Sequence, residues 1–528
     1  MTRRIIIALM AYTIGISCIS AQNSKTTDAN IGGHVLDTES GEHMPGCVIR
    51  ILGTSLATVT DASGHYIFRD LKPGEYTLEA SCTGYVTTRL ETSVEPRRTV
   101  EVNFDLAPDA FMLDQVVVTS SKSETLRRES PSLVNVINGS MFQRLGACSL
   151  ADGLDFQPGV RVENDCQNCG FTQVRINGLD GHYSQILMNS RPVFSALTGV
   201  YGLEQIPANM IDRVEVMRGG GSALFGSSAI GGTINIITKD PMTNSAQVSH
   251  QLTSIGPSGS FDNNTTLNAS VVTDNGLAGL FIYGQSRCRD GYDHNDDGFT
   301  EVAQLKTQTL GARSFFRTSD ISKLTVEYHN THEYRRGGDN LKLPPHMAMI
   351  AEQTDHNIHA GEATFDLWLR DRRDHLSVFA ASQNTRRQSY YGSEMDPDAY
   401  GRTSDLVITA GGQWTHSMDR FLFMPAKLVA GTEYSFNRLH DVTLGYDHNV
   451  KQCVRIYSGY LQNEWRDERW GFLASARVDK HSLIHDPIIS PRLNIRFNPS
   501  SNMNFRASYS TGFRSPQAYD EDFHVAIV

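Results

Sequence analysis

The sequence contains no apolar run long enough to cross a bilayer as a helix: its longest, from Ile5 to Ile16, falls far short of the ~20 residues required. It also lacks an excess of basic charge. Its 47 Lys and Arg are outnumbered by 58 Asp and Glu, for a net charge of −11, which argues against a nucleic-acid partner because such a partner selects a basic face. Cysteine is scarce, eight in 528 residues, too few for a disulfide scaffold. No His-Glu-x-x-His motif, Gly-x-Ser-x-Gly elbow or paired catalytic constellation stands on a suitable element. Nothing in the residues points to an enzyme.

What is present begins with Arg3 and Arg4 ahead of the Ile5–Ile16 run and the small residues Ser20 and Ala21 behind it. That pattern reads as a signal peptide over residues 1–21, cleaved after Ala21. Cys18 raises a lipoprotein alternative, but Gly15 stands where a lipobox wants a large aliphatic side chain. Export without a spanning helix leaves a soluble exported protein or a closed outer-membrane β-barrel, in which every backbone group is satisfied between strands. Low mean hydropathy fits either, since barrel strands put polar side chains inside and apolar ones outside.

Residues 30–108 show short alternating runs broken by turn signals at Asp61-Ala62-Ser63-Gly64 and Lys72-Pro73-Gly74, which predicts a small all-β sandwich. Asp61, Gly64, Tyr66, Phe68, Pro73, Gly74, Tyr76, Gly84 and Tyr85 resemble the carboxypeptidase-regulatory-like domain, a type without a catalytic centre. His34, His43 and His65 show no zinc spacing and read as surface or turn residues. Next comes Leu113, Asp114, Gln115, Val116, Val117, Val118 and Thr119, a β-branched run followed by Ser120 to Ser123, which reads as a mobile polar linker. Such a strand can be captured by another protein's sheet edge, or can be the sandwich's last strand. Its position between sandwich and next domain resembles the TonB box, so residues 113–124 are expected to be that box and its linker, with Leu113 to Thr119 contacting TonB.

Between residues 125 and 241 an ordered series appears: Pro158-Gly159-Val160, Arg175-Ile176-Asn177-Gly178, Ile211-Asp212-Arg213-Val214-Glu215-Val216, Arg218-Gly219-Gly220-Gly221-Ser222, and Gly231-Gly232-Thr233-Ile234-Asn235-Ile236-Ile237-Thr238-Lys239. This series resembles the α+β plug domain of TonB-dependent receptors over essentially its whole length. A phosphate-binding loop at Gly219–Gly226 fails as a rival, because no Gly-Lys-Ser/Thr follows and the chain runs on into a strand.

From 245 to 528 the chain reads as about a dozen strands of period two, such as Lys323–His329, Arg492–Phe497 and Asn502–Tyr509. Tight turns near 274–276, 318–320 and 499–501 alternate with longer polar connections near 287–303, 331–360 and 384–402, as in an outer-membrane barrel. The expected fold is therefore mainly β: an N-terminal sandwich, a plug and an incomplete antiparallel transmembrane barrel, since the family's barrel has roughly 22 strands. The sequence accordingly reads as truncated.

Site expectations follow from the resemblance. Two apical plug loops would face ligand, with Asn164, Asp165, Gln167 and Asn168 on one and Arg191, Phe194 and Tyr201 on the other. Cys166 and Cys169 have a spacing that suits a metal or a redox disulfide; a short disulfide pinning the loop is preferred. Asp293, Asn295, Asp297 and Glu301 fit the opening of a calcium loop, although Gln304 stands where a bidentate Glu is wanted. His332, His346, Met347, Met349, His356 and His359, placed on one long loop, would suit haem or copper. The expected function is TonB-driven uptake of an iron chelate, haem or cobalamin across the outer membrane, with the sandwich in the periplasm and no resident cofactor required. Glycan import of the starch-utilisation type with a surface lipoprotein partner, and a soluble sandwich-based adhesin, are the alternatives.

Overall fold

The computed structural model describes residues 29–516 apart from 39–40, 53, 55, 62, 83–84, 86–87, 108–115, 124, 128, 167–170, 193–201, 258, 274, 444 and 501–502. Two compact units divide the chain, Met1–Gln115 and Val116–Val528.

In the first unit eight strands alternate inward and outward side chains: β1 (Asn30–Asp37), β2 (Val48–Ile51), β3 (Ala57–Val59), β4 (His65–Phe68), β5 (Gly74–Ser81), β6 (Thr88–Val94), β7 (Thr99–Glu101) and β8 (Phe104–Leu106). One sheet runs β4-β1-β7 with β8 also on β1, the other β3-β2-β5-β6. Ile31, Val35, Ile49, Leu78, Phe104 and Leu106 are buried to 1% or less and form the core. The expected sandwich is present. Its Asp61 turn is built by the carboxylate, which accepts the amides of Ser63 and His65; these bonds hold its carboxyl below the usual range. Cys47 and Cys82 adjoin the paired Val48 and Ser81 at the end of the β2–β5 ladder, and burial, with Cys82 beside it, pushes the Cys47 thiol up to about 12.

The plug contributes β9 (Val116–Val117), β10 (Thr125–Leu126), β11 (Val134–Asn138), α1 (Gly139–Arg144), α2 (Leu150–Leu154), β12 (Val160–Cys166), β13 (Phe171–Ile176), β14 (Ser184–Met188), β15 (Ile211–Arg218), α3 (Ser222–Phe225) and β16 (Gly232–Thr238). Its central sheet runs β11-β15-β16-β14. Glycine is required where elements meet: a Cβ on Gly153 would lie 2.1 Å from the Phe142 ring, and one on Gly232 2.6 Å from the Met217 carbonyl.

Thirteen antiparallel strands, each paired with the next, make the large sheet: β17 (Ser245–Ile255), β18 (Ser260–Val272), β19 (Ala278–Arg289), β20 (Gln304–Ser319), β21 (Ser322–Gly338), β22 (Ile350–Leu369), β23 (Asp374–Ser393), β24 (Tyr400–Phe421), β25 (Met424–Thr443), β26 (His448–Arg466), β27 (Trp470–His481), β28 (Ile488–Ser500) and β29 (Met503–Ser510). Polar side chains such as Arg287, Glu327, Glu433 and Arg477 turn inward and are buried, while Leu280, Val326, Val378, Leu461, Val478 and Leu493 stand exposed on the outside. Near the tight-turn end Phe421, Phe423, Trp465, Trp470 and Phe497 stack on one another, the aromatic belt expected at a membrane interface.

Two of the three long connections are shorter than expected. The connections are 290–303, 339–349 and 394–399, because β21, β22, β23 and β24 run on for 17 to 22 residues. His332, His356 and His359 therefore lie on strands rather than on a loop. His332 pairs with Asp355 and His359 with Tyr328 on the outer surface, whereas His356 is buried beside Glu333. That scatter does not gather a haem or copper ligand set.

Candidate functional site

The chain that follows residue 115 is held on the plug and by the barrel wall at once. Leu113, Asp114 and Gln115 lie outside the described residues. Val116 and Val117 pair with Leu126 and Thr125 of β10. The carboxylate of Glu215, fully buried on β15, accepts the amides of Val118 and Thr119 at 2.9 Å and the Thr119 hydroxyl at 2.6 Å. It also accepts Arg213 Nε at 2.9 Å. Asn235 of β16 donates to Thr119 Oγ1 at 3.0 Å.

Residues 120–122, expected as a mobile linker, are buried. Arg492, Gln462 and Gln413 of the barrel donate to the carbonyls of Ser120, Ser121 and Lys122 at 3.3, 3.0 and 2.8 Å. The linker expectation is corrected for a physical reason: buried carbonyls must be paired, and barrel side chains supply the donors. Lys122 Nζ sits 3.5 Å from Glu433 and 4.3 Å from the Tyr460 ring centroid. Arg477 joins that group, 3.2 Å from Glu433 and 2.8 Å from Asp479.

A second set of buried charges fixes the plug elsewhere. Asn189 donates to Glu327 and Glu362 at 3.2 and 2.9 Å, and Arg313 pairs with Glu327 at 2.7 Å and Asp240 at 2.6 Å. Toward the long-connection end Glu204 meets Arg335 at 2.5 Å and Arg289 at 3.6 Å, and Gln205 donates to Glu333. Above these, Tyr390, Ala348, Ala351 and Ala399 pack together with Tyr400, which bonds His346 at 2.7 Å.

Of the expected ligand contacts, Gln167, Asn168, Phe194, Tyr201 and Cys169 lie outside the described residues, as do the side chains of Asn164, Asp165 and Cys166 at the end of β12. Arg191 is not apical. Its guanidinium stacks 3.5 Å over the Phe379 ring, near the tight-turn end of β23, because a cation buried in the lumen takes the nearest aromatic face. Asp293, Asp297 and Glu301 do converge, their carboxylate oxygens within 4.8 Å of one another, a hard-oxygen donor set of the kind calcium takes. Asn295 is turned to Asp297, and the amides of Gly298 and His294 bond Asp293 and Glu301. Sequence reasoning singled out neither Glu215 as a latch nor Gln413, Gln462 and Arg492 as clamps; inward-facing polar residues on barrel strands were the only signal for the last three.

The TonB dependent receptor-like beta-barrel family matches residues 240–525, more than half of the chain. The chain belongs to the TonB-dependent receptors. The family's plug domain matches 127–233 and a CarboxypepD_reg-like domain matches 31–118. Among curated relatives, the vitamin B12 transporter BtuB of Vibrio vulnificus is 24% identical over 77% of this chain and 64% of its own, and the hemin receptor of Yersinia pestis is 26% identical over 78% and 62%. The chain thus spans somewhat under two thirds of the length of these relatives. Its fold is that of the siderophore receptor PirA from Acinetobacter baumannii, with TM-score 0.62, 17% identity, and coverage of 74% of this chain and 62% of that one.

Proposed function

We propose that this family member works in the outer membrane, sandwich toward the periplasm, and admits a scarce metal chelate, haem or cobalamin when TonB pulls on the Leu113–Thr119 strand. The observation that carries this reading is the double grip on residues 116–122. The segment next to the expected TonB contact is bonded to plug strands through Glu215 and to the barrel wall through Gln413, Gln462 and Arg492, so a pull there loads both at once. Relatives named for vitamin B12 and hemin transport or reception support the ligand class.

Uptake of radiolabelled ferric siderophore, haem and cobalamin, measured in cells with and without TonB, tests it. The expected result is accumulation of one of the three only when TonB is present. Accumulation of none, or accumulation indifferent to TonB, overturns the proposal.

A further inference from the structure

Three histidines far apart in the sequence meet on one face of the sandwich. The β1–β4 register sets His65 directly opposite His34. After β1 the chain turns back and His43 bridges Leu36 on that same flank. Side chains alternate along a strand, so residues 34, 36, 43 and 65 share the face turned away from the buried Ile31 and Val35. The ring centroids of His34 and His43 are 5.0 Å apart, those of His43 and His65 5.0 Å, and those of His34 and His65 5.7 Å.

Those separations are what one metal ion demands. A ligating imidazole nitrogen lies about 2.0–2.1 Å from zinc and its ring centre about 1.1 Å further back, so tetrahedral geometry sets ring centres about 5.2 Å apart. The turns that carry the rings are already fixed. Val35 N donates to Gly64 O at 3.0 Å, Met44 N to Val35 O at 2.8 Å, and Thr60 Oγ1 to Met44 O at 2.7 Å. Gly64 is packed so closely that a Cβ there would fall 2.9 Å from the His43 Cβ.

Stacking of three imidazoles on a wet surface is the competing explanation, and two features weigh against it. The Glu101 carboxylate lies 4.0 Å from His34 Nδ1 and is held by Asn103 Nδ2 at 3.0 Å, while Asn103 Oδ1 accepts the His34 amide. A carboxylate facing Nδ1 would, once drawn into hydrogen-bond distance, leave Nε2 as the free donor, the arrangement that orients a metal-bound histidine. Moreover, among the described residues none hydrogen-bonds the ring nitrogens of His43 or His65, and both side chains are exposed. Among the described residues the His/Cys/Asp/Glu group whose donor atoms already converge is the acidic one at Asp293, Asp297 and Glu301, so ligation here requires the exposed rings to turn, a fast motion for such side chains.

We propose that His34, His43 and His65 form a three-imidazole site for a divalent first-row transition ion of the zinc class, with Glu101 as a positioning residue and water in the fourth place. Imidazole nitrogen suits zinc and its neighbours over calcium or magnesium. The ion would staple β1, the turn after it and β4. The site uses sandwich residues alone and does not depend on what the barrel carries.

The untagged chain in detergent, titrated with Co2+ and then challenged with Zn2+, tests the proposal. The expected result is one Co2+ per chain with the intense visible absorption of a tetrahedral nitrogen site, displaced by one Zn2+. Glu101→Gln weakens binding about 10-fold, and His43→Ala or His65→Ala weakens it further. An Asp293→Asn, Glu301→Gln double variant leaves it unchanged, which separates the site from the acidic loop. His65→Asn keeps a polar side chain at the turn and should fail equally, so loss of binding cannot be charged to misfolding. No tetrahedral Co2+ spectrum, binding that survives both His43→Ala and His65→Ala, or binding lost in the acidic-loop variant overturns the proposal.

Discussion

Glu215 shows how much one buried carboxylate can organise. It accepts three hydrogen bonds from residues nearly a hundred positions earlier, together with one from Arg213, which also pairs with Asp212. Removing it leaves buried donors unpaired at about 1–3 kcal/mol each. Glu215→Ala is therefore expected to free the 116–119 segment, with Val118 and Thr119 amides exchanging with solvent at least about tenfold faster, a factor worth only about 1.4 kcal/mol. Glu215→Gln, which keeps an acceptor oxygen, should fall between. Hydrogen–deuterium exchange by mass spectrometry reads both, and unchanged protection in the alanine variant would sink the latch. The residue lies in the Arg213–Val216 motif, which the sequence marked as plug-like without assigning the glutamate a task.

Strands explain both what was legible and what was misread. Where the outer face is apolar and the inner face meets the plug, alternation is clean, as along Lys323–His329. Toward the long-connection end the outer face is polar as well, so β22, with residues such as Glu352, Gln353, Asp355 and Asn357, is polar on both faces and the period disappears. A strand written this way looks like a loop, which is why residues 331–360 and 384–402 were expected to be connections. The outward apolar band yields a prediction. Leu461→Arg, at a position 56% exposed on the outside of β26, should cost about 2–4 kcal/mol if it sits at the bilayer midplane. Urea titration of the protein refolded into lipid vesicles measures this, against Lys451→Arg on the same outer face as a neutral control. Equal stability of the two variants would show that the outer face does not meet lipid.

At the scale of the whole molecule, each of the two units has its own core, Ile31, Ile49, Leu78 and Phe104 in one and Ile137, Phe142, Val214 and Ile234 in the other. Separate cores melt separately unless a large apolar interface couples them. Phe104→Ala, a fully buried ring lost from the sandwich, should cost about 3–5 kcal/mol. In calorimetry it is expected to lower one transition and leave the barrel transition in place. A single transition that moves as a whole would mean that the units unfold together.

The sequence by itself determined the order of parts. Turn chemistry at Asp61–Gly64, the glycine-rich plug motifs and period-two strands each encode local geometry, and local geometry is written in neighbouring residues. Tertiary structure decided the rest, because it concerns residues that are neighbours only across the fold. The meeting of His34, His43 and His65 depends on strand register, and the Thr119–Glu215 latch, the clamps of Gln413, Gln462 and Arg492 and the burial of Ser120–Lys122 depend on the plug's seat in the barrel. No spacing along the chain records either.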